Sequence, residues 1–290
     1  MFGFEIRFLQ FLESIRTDFL NALFEGITTL GEETLLIVLL AVAFFMFDKH
    51  FARKLFYITV LSLNCNCAIK NFVQLPRPFA DGKITAMRAE TATGYSFPSG
   101  HTQNFATWSF ALALHFKKHW MSCLAAILTL LMGFSRMYLG VHYPSDVIVA
   151  VVLGVGLSAL GNYLFAKVKD TKKLYLGAFL VLTPFIVYFL CVAEPLFADL
   201  FKTFGMVGGM VAVSFLDEKT EPLSYDVAWW KKLIRIVIGV VLAVALKEVI
   251  KLVNVFDVIQ ISLLIDAVRY FIVVLTVGYL CPLLFKKLKL

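Results

Sequence analysis

Three short stretches of the chain hold the residue types that handle a tetrahedral oxyanion. In KNFVQLPRP, Lys70 and Arg77 are seven residues apart and share a face if the helix end persists through them. PSGH, Pro98 to His101, opens an apolar stretch, so Ser99 and Gly100 would present backbone amides at a helix amino terminus. SRMYLGVHYPSD, residues 135 to 146, adds Arg136, His142 and Asp146. Lys70, Arg77 and Arg136 are fixed cations, and a guanidinium fork donates two hydrogen bonds to one phosphate at once. The guest this pattern predicts is a phosphate.

Two histidines turn such a site from binding to hydrolysis. Asp146 follows His142 by four residues, within reach of one ring nitrogen if the helix beginning at Pro144 is nearly continuous with the histidine. The other nitrogen is left unprotonated and able to attack phosphorus. His101 would stand opposite as the acid for the leaving oxygen. Ser135 has no base beside it and reads as a hydrogen-bonding orienter, while Tyr138 and Tyr143 read as anchors at the membrane interface. Carboxylates in these stretches are few, namely Asp81, Glu90 and Asp146, whereas a two-metal site needs several ligands. No metal and no cofactor are expected, because protein cations neutralise the charge.

The elements that must position these residues are membrane helices. Of the 290 residues, 60% are hydrophobic and 16% charged, and the mean hydropathy is +0.83, well outside the range of a soluble domain. About nine stretches approach the roughly 20 apolar residues that cross a bilayer. They lie near 33–48, 54–75, 101–116, 120–140, 145–166, 174–193, 197–216, 233–253 and 258–285. The expected fold is an all-α polytopic membrane helix bundle. The net charge of +7 does not collect in one stripe, which argues against a nucleic-acid partner. With an outside amino terminus, the basic residues gather in inner loops, among them Lys49, Arg53, Lys117, Lys118, Lys219 and Lys286. Residues 135 to 146 then face the outer, non-cytoplasmic side.

Residues 1–31 read as an amphipathic interfacial helix, because Phe4, Phe8, Phe11, Leu12, Ile15, Phe19 and Leu23 recur at helical spacing. Residues 32–170 form a catalytic membrane domain with all three motifs, and 171–290 add further transmembrane helices. Cys65, Cys67, Cys123, Cys191 and Cys281 are odd in number and lie in or beside apolar stretches, so they read as packing residues. Gly205, Gly208 and Gly209 permit close helix approach, within the bundle or between copies of the chain, which leaves a homo-oligomer open. Lys247, Glu248, Lys251, Asp266 and Arg269 fall inside the last two apolar stretches, where opposite signs can pair across the helices.

Lys70 to Pro78 fits K-x6-R-P, Pro98 to His101 is P-S-G-H, and Ser135 to Asp146 fits S-R-x5-H-x3-D, eleven specified residues in order. The set resembles the three-part signature of the type 2 phosphatidate phosphatase superfamily. That resemblance implies a six-helix catalytic core and a phosphohistidine intermediate on His142. It also implies His101 as acid then base, and phosphate held by Lys70, Arg77, Ser99, Gly100 and Arg136. LGEETLLIVLL, ahead of the first motif, is similar to the sphingosine-1-phosphate phosphatase branch, although that branch often has threonine where Gly100 stands.

The function expected is an integral membrane lipid phosphatase of a bacterial plasma membrane, cleaving a lipid phosphate monoester or diphosphate whose tail stays among the membrane lipids. An undecaprenyl diphosphate phosphatase and a lipid phosphotransferase are the alternatives. A scramblase or transporter, binding headgroups at the same cationic mouth without hydrolysis, is the reading from a different class.

Overall fold

The computed structural model describes residues 3–220, 222–253 and 257–290, with the backbone alone for Lys219, and every regular element among them is helical. The Lys219 side chain, one of the expected inner-loop cations, lies outside the described residues. The chain divides into two compact units that interleave along the sequence. One holds the residues up to Leu35 together with Leu61–Asn162, and the other holds Leu36–Val60 and Tyr163–Leu290. This differs from sequential domains at 32–170 and 171–290, because helix α4, Lys49–Val73, contributes to both units.

The first unit carries all three motifs. Where one helix was expected over residues 1–31 there are two, α1 (Gly3–Ser14) and α2 (Asp18–Thr29). Thr17 separates them in extended backbone and caps α2, its hydroxyl accepting from the Leu20 amide at 3.3 Å. One face of the pair is buried: Leu9 and Leu12 pack with Ile84 and Tyr143, and Phe24 packs with Tyr138, Leu139 and Val141. Tyr138 and Tyr143 are therefore core residues of this unit, not interface anchors, and the Tyr138 hydroxyl donates to Asn21 Oδ1 at 2.9 Å. The opposite face leaves Phe4, Phe11 and Phe19 exposed, as the amphipathic spacing requires.

Helices α5 (Gly100–Phe116) and α6 (His119–Tyr138) and the part of α7 (Pro144–Lys167) up to Asn162 complete the unit. Inside it a polar chain links α4 to α5. Asn66 Nδ2 donates to Gln103 Oε1 at 2.9 Å, Gln103 Nε2 to the Ser62 carbonyl at 2.9 Å, and Thr107 Oγ1 to Ser62 Oγ at 2.8 Å. All four side chains are buried, so each polar atom must find such a partner.

The second unit contains α8 (Thr171–Val192), α9 (Ala198–Leu216), α10 (Trp229–Leu252), α11 (Ile259–Leu275) and α12 (Cys281–Lys287). Helix α9 meets α11 backbone to backbone: a Cβ added at Gly205 would lie 2.0 Å from the Ala267 carbonyl oxygen. The glycine stripe is thus used within the unit. Asp266 and Arg269 pair along α11 at 2.7 Å, and Lys247 lies 3.7 Å from Glu248 on α10.

All of the expected apolar stretches are helical, but fewer of them have membrane-spanning length and composition. Among the described residues five helices qualify, or six if Asp18–Thr29 and Glu33–Phe47, bent by 46°, make one broken span. Helices α4 and α5 carry the polar side chains of the motifs and of the buried network, and α10 carries basic residues near both ends.

Candidate active site

Each motif is held by a specific local device. Helix α4 stops at Val73 because Pro76 disfavours helical backbone at Leu75, and Gln74 turns left-handed at φ 53°. Lys70 and Arg77 therefore do not share a helix face, contrary to the expectation from their spacing. They converge instead on one loop. Lys70 Nζ donates to the Tyr95 carbonyl at 2.5 Å, while Arg77 donates through Nε to Gly94 at 3.1 Å and through Nη2 to Thr93 at 2.5 Å.

Helix α6 ends on Gly140, whose φ of 74° is the left-handed conformation that closes a helix. The Val141 amide reaches back to the Arg136 carbonyl at 3.2 Å and the Gly140 amide to Met137 at 3.0 Å. This turn directs His142 back toward the end of α6. Pro144 then occupies the first position of α7, and Asp146 Oδ2 caps that helix by accepting from the Tyr143 amide at 2.9 Å. Glu5 of α1 takes up the Ser145 amide at 2.8 Å.

The same Asp146 oxygen lies 3.1 Å from His142 Nδ1 and accepts from Ser96 Oγ at 2.5 Å. On the far side of the ring, Nε2 lies 3.0 Å from Arg77 Nη1. An arginine only donates, so the network assigns the proton to Nδ1 and the lone pair to Nε2. His142 and Asp146 are 1% and 0% exposed. Burial first, and then the charges of Arg77, Arg136, Lys70 and His101, hold the His142 imidazole well below its ordinary pKa.

Around this pair several polar atoms are buried with nothing to bond: His101 Nε2, Arg136 Nε and Arg136 Nη2. Buried polar atoms without partners are uncommon, and a cluster of them marks a place for a ligand. Gly100 and His101 lie in the first turn of α5, whose amides have no intrahelical acceptor. Ser99 differs from expectation, because its amide donates to the Asp146 carbonyl at 3.2 Å and its hydroxyl meets Thr102 Oγ1 at 3.0 Å. The Ser135 hydroxyl bonds the Met132 carbonyl of its own helix at 2.7 Å. Among the described residues no three His, Cys, Asp or Glu side chains come together as a metal-binding group.

Sequence reasoning missed Ser96, Asn66 and the carbonyls of Thr93, Gly94 and Tyr95. Asn66 had a visible signal, an amide in an apolar stretch one helical turn before Lys70, and it donates to the Pro98 carbonyl at 3.3 Å. The loop carbonyls had none, since every residue possesses one.

Comparison with known proteins places the chain in a family. Residues 51–170 match the PAP2 superfamily, and residues 201–290 match the transmembrane extension of PAP2 superfamily phosphatases. The undecaprenyl-diphosphatase of Sulfolobus acidocaldarius is 30% identical over 159 residues, 54% of this chain and 77% of that protein. The phosphatidylglycerophosphatase B of Bacillus subtilis is 29% identical over 172 residues, covering 55% of this chain and 82% of that one. The crystal structure of a transmembrane PAP2-type phosphatidylglycerolphosphate phosphatase from Bacillus subtilis aligns with a TM-score of 0.50 and 27% identity, over 57% of this chain and 86% of that chain. With the three motifs gathered in one unit and these relatives on both measures, the chain belongs to the PAP2 superfamily and is an integral membrane lipid phosphatase.

Proposed function

We propose that the protein hydrolyses a lipid phosphate monoester or diphosphate through a phosphohistidine on His142, without a metal ion. The observation that carries this reading is the His142 ring held at both ends, Nδ1 by Asp146 at 3.1 Å and Nε2 against Arg77 at 3.0 Å. In the first step the Nε2 lone pair attacks phosphorus, a P–N bond forms, and the P–O bond to the lipid breaks. His101 gives its proton to the departing oxygen. Asp146 stabilises the positive imidazole ring that results, through the Nδ1 proton. In the second step His101 takes a proton from water, whose oxygen displaces His142 and leaves inorganic phosphate.

Lys70, Arg77, Arg136 and the Gly100 amide hold the phosphoryl oxygens, and the charge that grows on them is met by these fixed donors. Ser99 supports the loop through its bond to Asp146. The basic inner loops favour an active site on the outer face of a bacterial plasma membrane, where a headgroup stays wet and its tail stays in lipid. Rapid alkaline quench with a lipid phosphate radiolabelled in its phosphate tests the mechanism. Label on the protein, stable to alkali, labile to acid and absent in His142→Ala, is the expected result; label remaining in His142→Ala would overturn it. Release of inorganic phosphate, as opposed to transfer to an alcohol acceptor, separates hydrolase from phosphotransferase.

A further inference from the structure

We propose that the end of α2 and the turn joining it to α3 (Glu33–Val42), which lie outside all three motifs, are part of the phosphate site: Thr28 positions the Arg136 fork and Gly31 seats the His101 ring. The inference rests on the reading of Arg136 as a phosphate ligand. Arg136 is 0% exposed and donates through Nη1 to Thr28 Oγ1 at 2.8 Å, with a longer contact to Thr91 Oγ1 at 3.4 Å. A guanidinium is planar, so fixing Nη1 fixes the direction of the other donors as well. Those donors, Nε and Nη2, share one edge of the group and are the two buried atoms that lack partners. One edge is anchored and the other is open, in the geometry that grips two oxygens of one phosphate.

The anchor is a neutral hydroxyl, and this matters. A carboxylate at position 28 would orient the guanidinium but cancel the charge that attracts the ligand. Glu32, the carboxylate of the same turn, is instead paired with Arg88 at 2.8 Å. Thr28 is itself fully buried, so bulk water does not compete for its hydroxyl.

Three residues further on, the turn passes against the other imidazole. A Cβ added at Gly31 would lie 2.9 Å from His101 Cβ, 3.0 Å from His101 Cδ2 and 3.2 Å from Met132 Cε. The requirement is for space, with the histidine on one side and the methionine on the other. Any larger residue pushes the imidazole along α5 or pushes the turn away from Arg136.

The experiment uses the purified full chain and inorganic orthovanadate, a mimic of five-coordinate phosphorus, as the inhibitor. Thr28→Val keeps the shape and deletes the acceptor. It is expected to raise the vanadate inhibition constant by about tenfold or more, the effect of losing a buried bond to a charged group. Thr28→Ser restores affinity, and Thr28→Val added to Arg136→Ala lowers kcat/KM no further. Gly31→Ala lowers kcat with a smaller change in vanadate affinity, because it displaces the acid and not the fork. A wild-type vanadate constant in Thr28→Val, or an equal loss in the Arg136→Ala background, overturns the role of Thr28. Thr28→Ala serves in the same comparisons if the valine variant fails to fold. Should Arg136→Ala itself keep full vanadate affinity, the phosphate-site reading fails; should it lose affinity while Thr28→Val does not, only the positioning inference fails.

Discussion

Arg77 Nη1 lies 3.0 Å from His142 Nε2, the ring atom opposite the one held by Asp146. A cation thus sits directly against the lone pair proposed to attack phosphorus. The contact keeps that nitrogen unprotonated, since a proton placed there would face a guanidinium at hydrogen-bond distance. It also brings the proposed phosphate-binding group and the proposed nucleophile to one point, which is what an in-line displacement requires.

The first prediction concerns pH. The lowered pKa of His142 should place the acid limb of kcat/KM below the usual histidine value of about 6.5, because the free enzyme keeps the ring neutral there. Replacing Arg77 with Gln removes the charge in contact with the ring and moves the limb upward, whatever it does to the height of the profile. The sign for stability follows from the same shift. Between the two pKa values the unfolded chain binds a proton that the folded site refuses, so stability is greatest above about 6.5 and falls as pH drops through it. A wild-type acid limb at or above 6.5 contradicts the assignment.

Asp146 accepts from His142, Ser96 and the Tyr143 amide through one oxygen. Asp146→Asn should lower kcat by about 10³-fold or more, since an amide cannot hold the same ring tautomer and bind both other donors. Ser96→Ala removes one donor only, and about tenfold in kcat with little change in KM is expected. Steady-state kinetics of the two variants side by side check the order of these effects.

Asn66 bridges the Pro98 carbonyl and Gln103. Asn66→Leu leaves buried acceptors without a donor and should destabilise the protein by about 1–3 kcal/mol. Thermal unfolding in detergent reads the loss. If melting is unchanged while activity falls, the amide acts on the site alone and not on the fold.

Charge neutralisation by Lys70, Arg77 and Arg136 predicts full activity in excess chelator. Loss of turnover that a divalent cation restores would reject the metal-free mechanism. The assay uses purified protein dialysed against chelator, with lipid phosphate as substrate.

Much of the site was legible in the sequence because its chemistry is local and discrete. His142 and Asp146 pair as their spacing suggested, since four residues across a helix start leave few other geometries. Lys70 and Arg77 show where that logic ends. Their seven-residue spacing implied a shared helix face, but Pro76 and Gln74 end the helix between them, and the two cations meet through the carbonyls of Thr93 to Tyr95. The tyrosines failed for a related reason. Amphipathic residues beside apolar runs suit a membrane interface and a buried contact equally well, and only the packing of α1 and α2 decides between them.

By itself the sequence determined the membrane class, the helices and the side chains that meet at the candidate site, because hydropathy, helical period and phosphate chemistry are each written in short windows. Tertiary structure alone decided which donors of Arg136 stay open and what stands behind them. Thr28 lies 108 residues from Arg136 along the chain. A threonine in an apolar helix carries no mark of its partner, and the bond exists only once the end of α2 folds against α6.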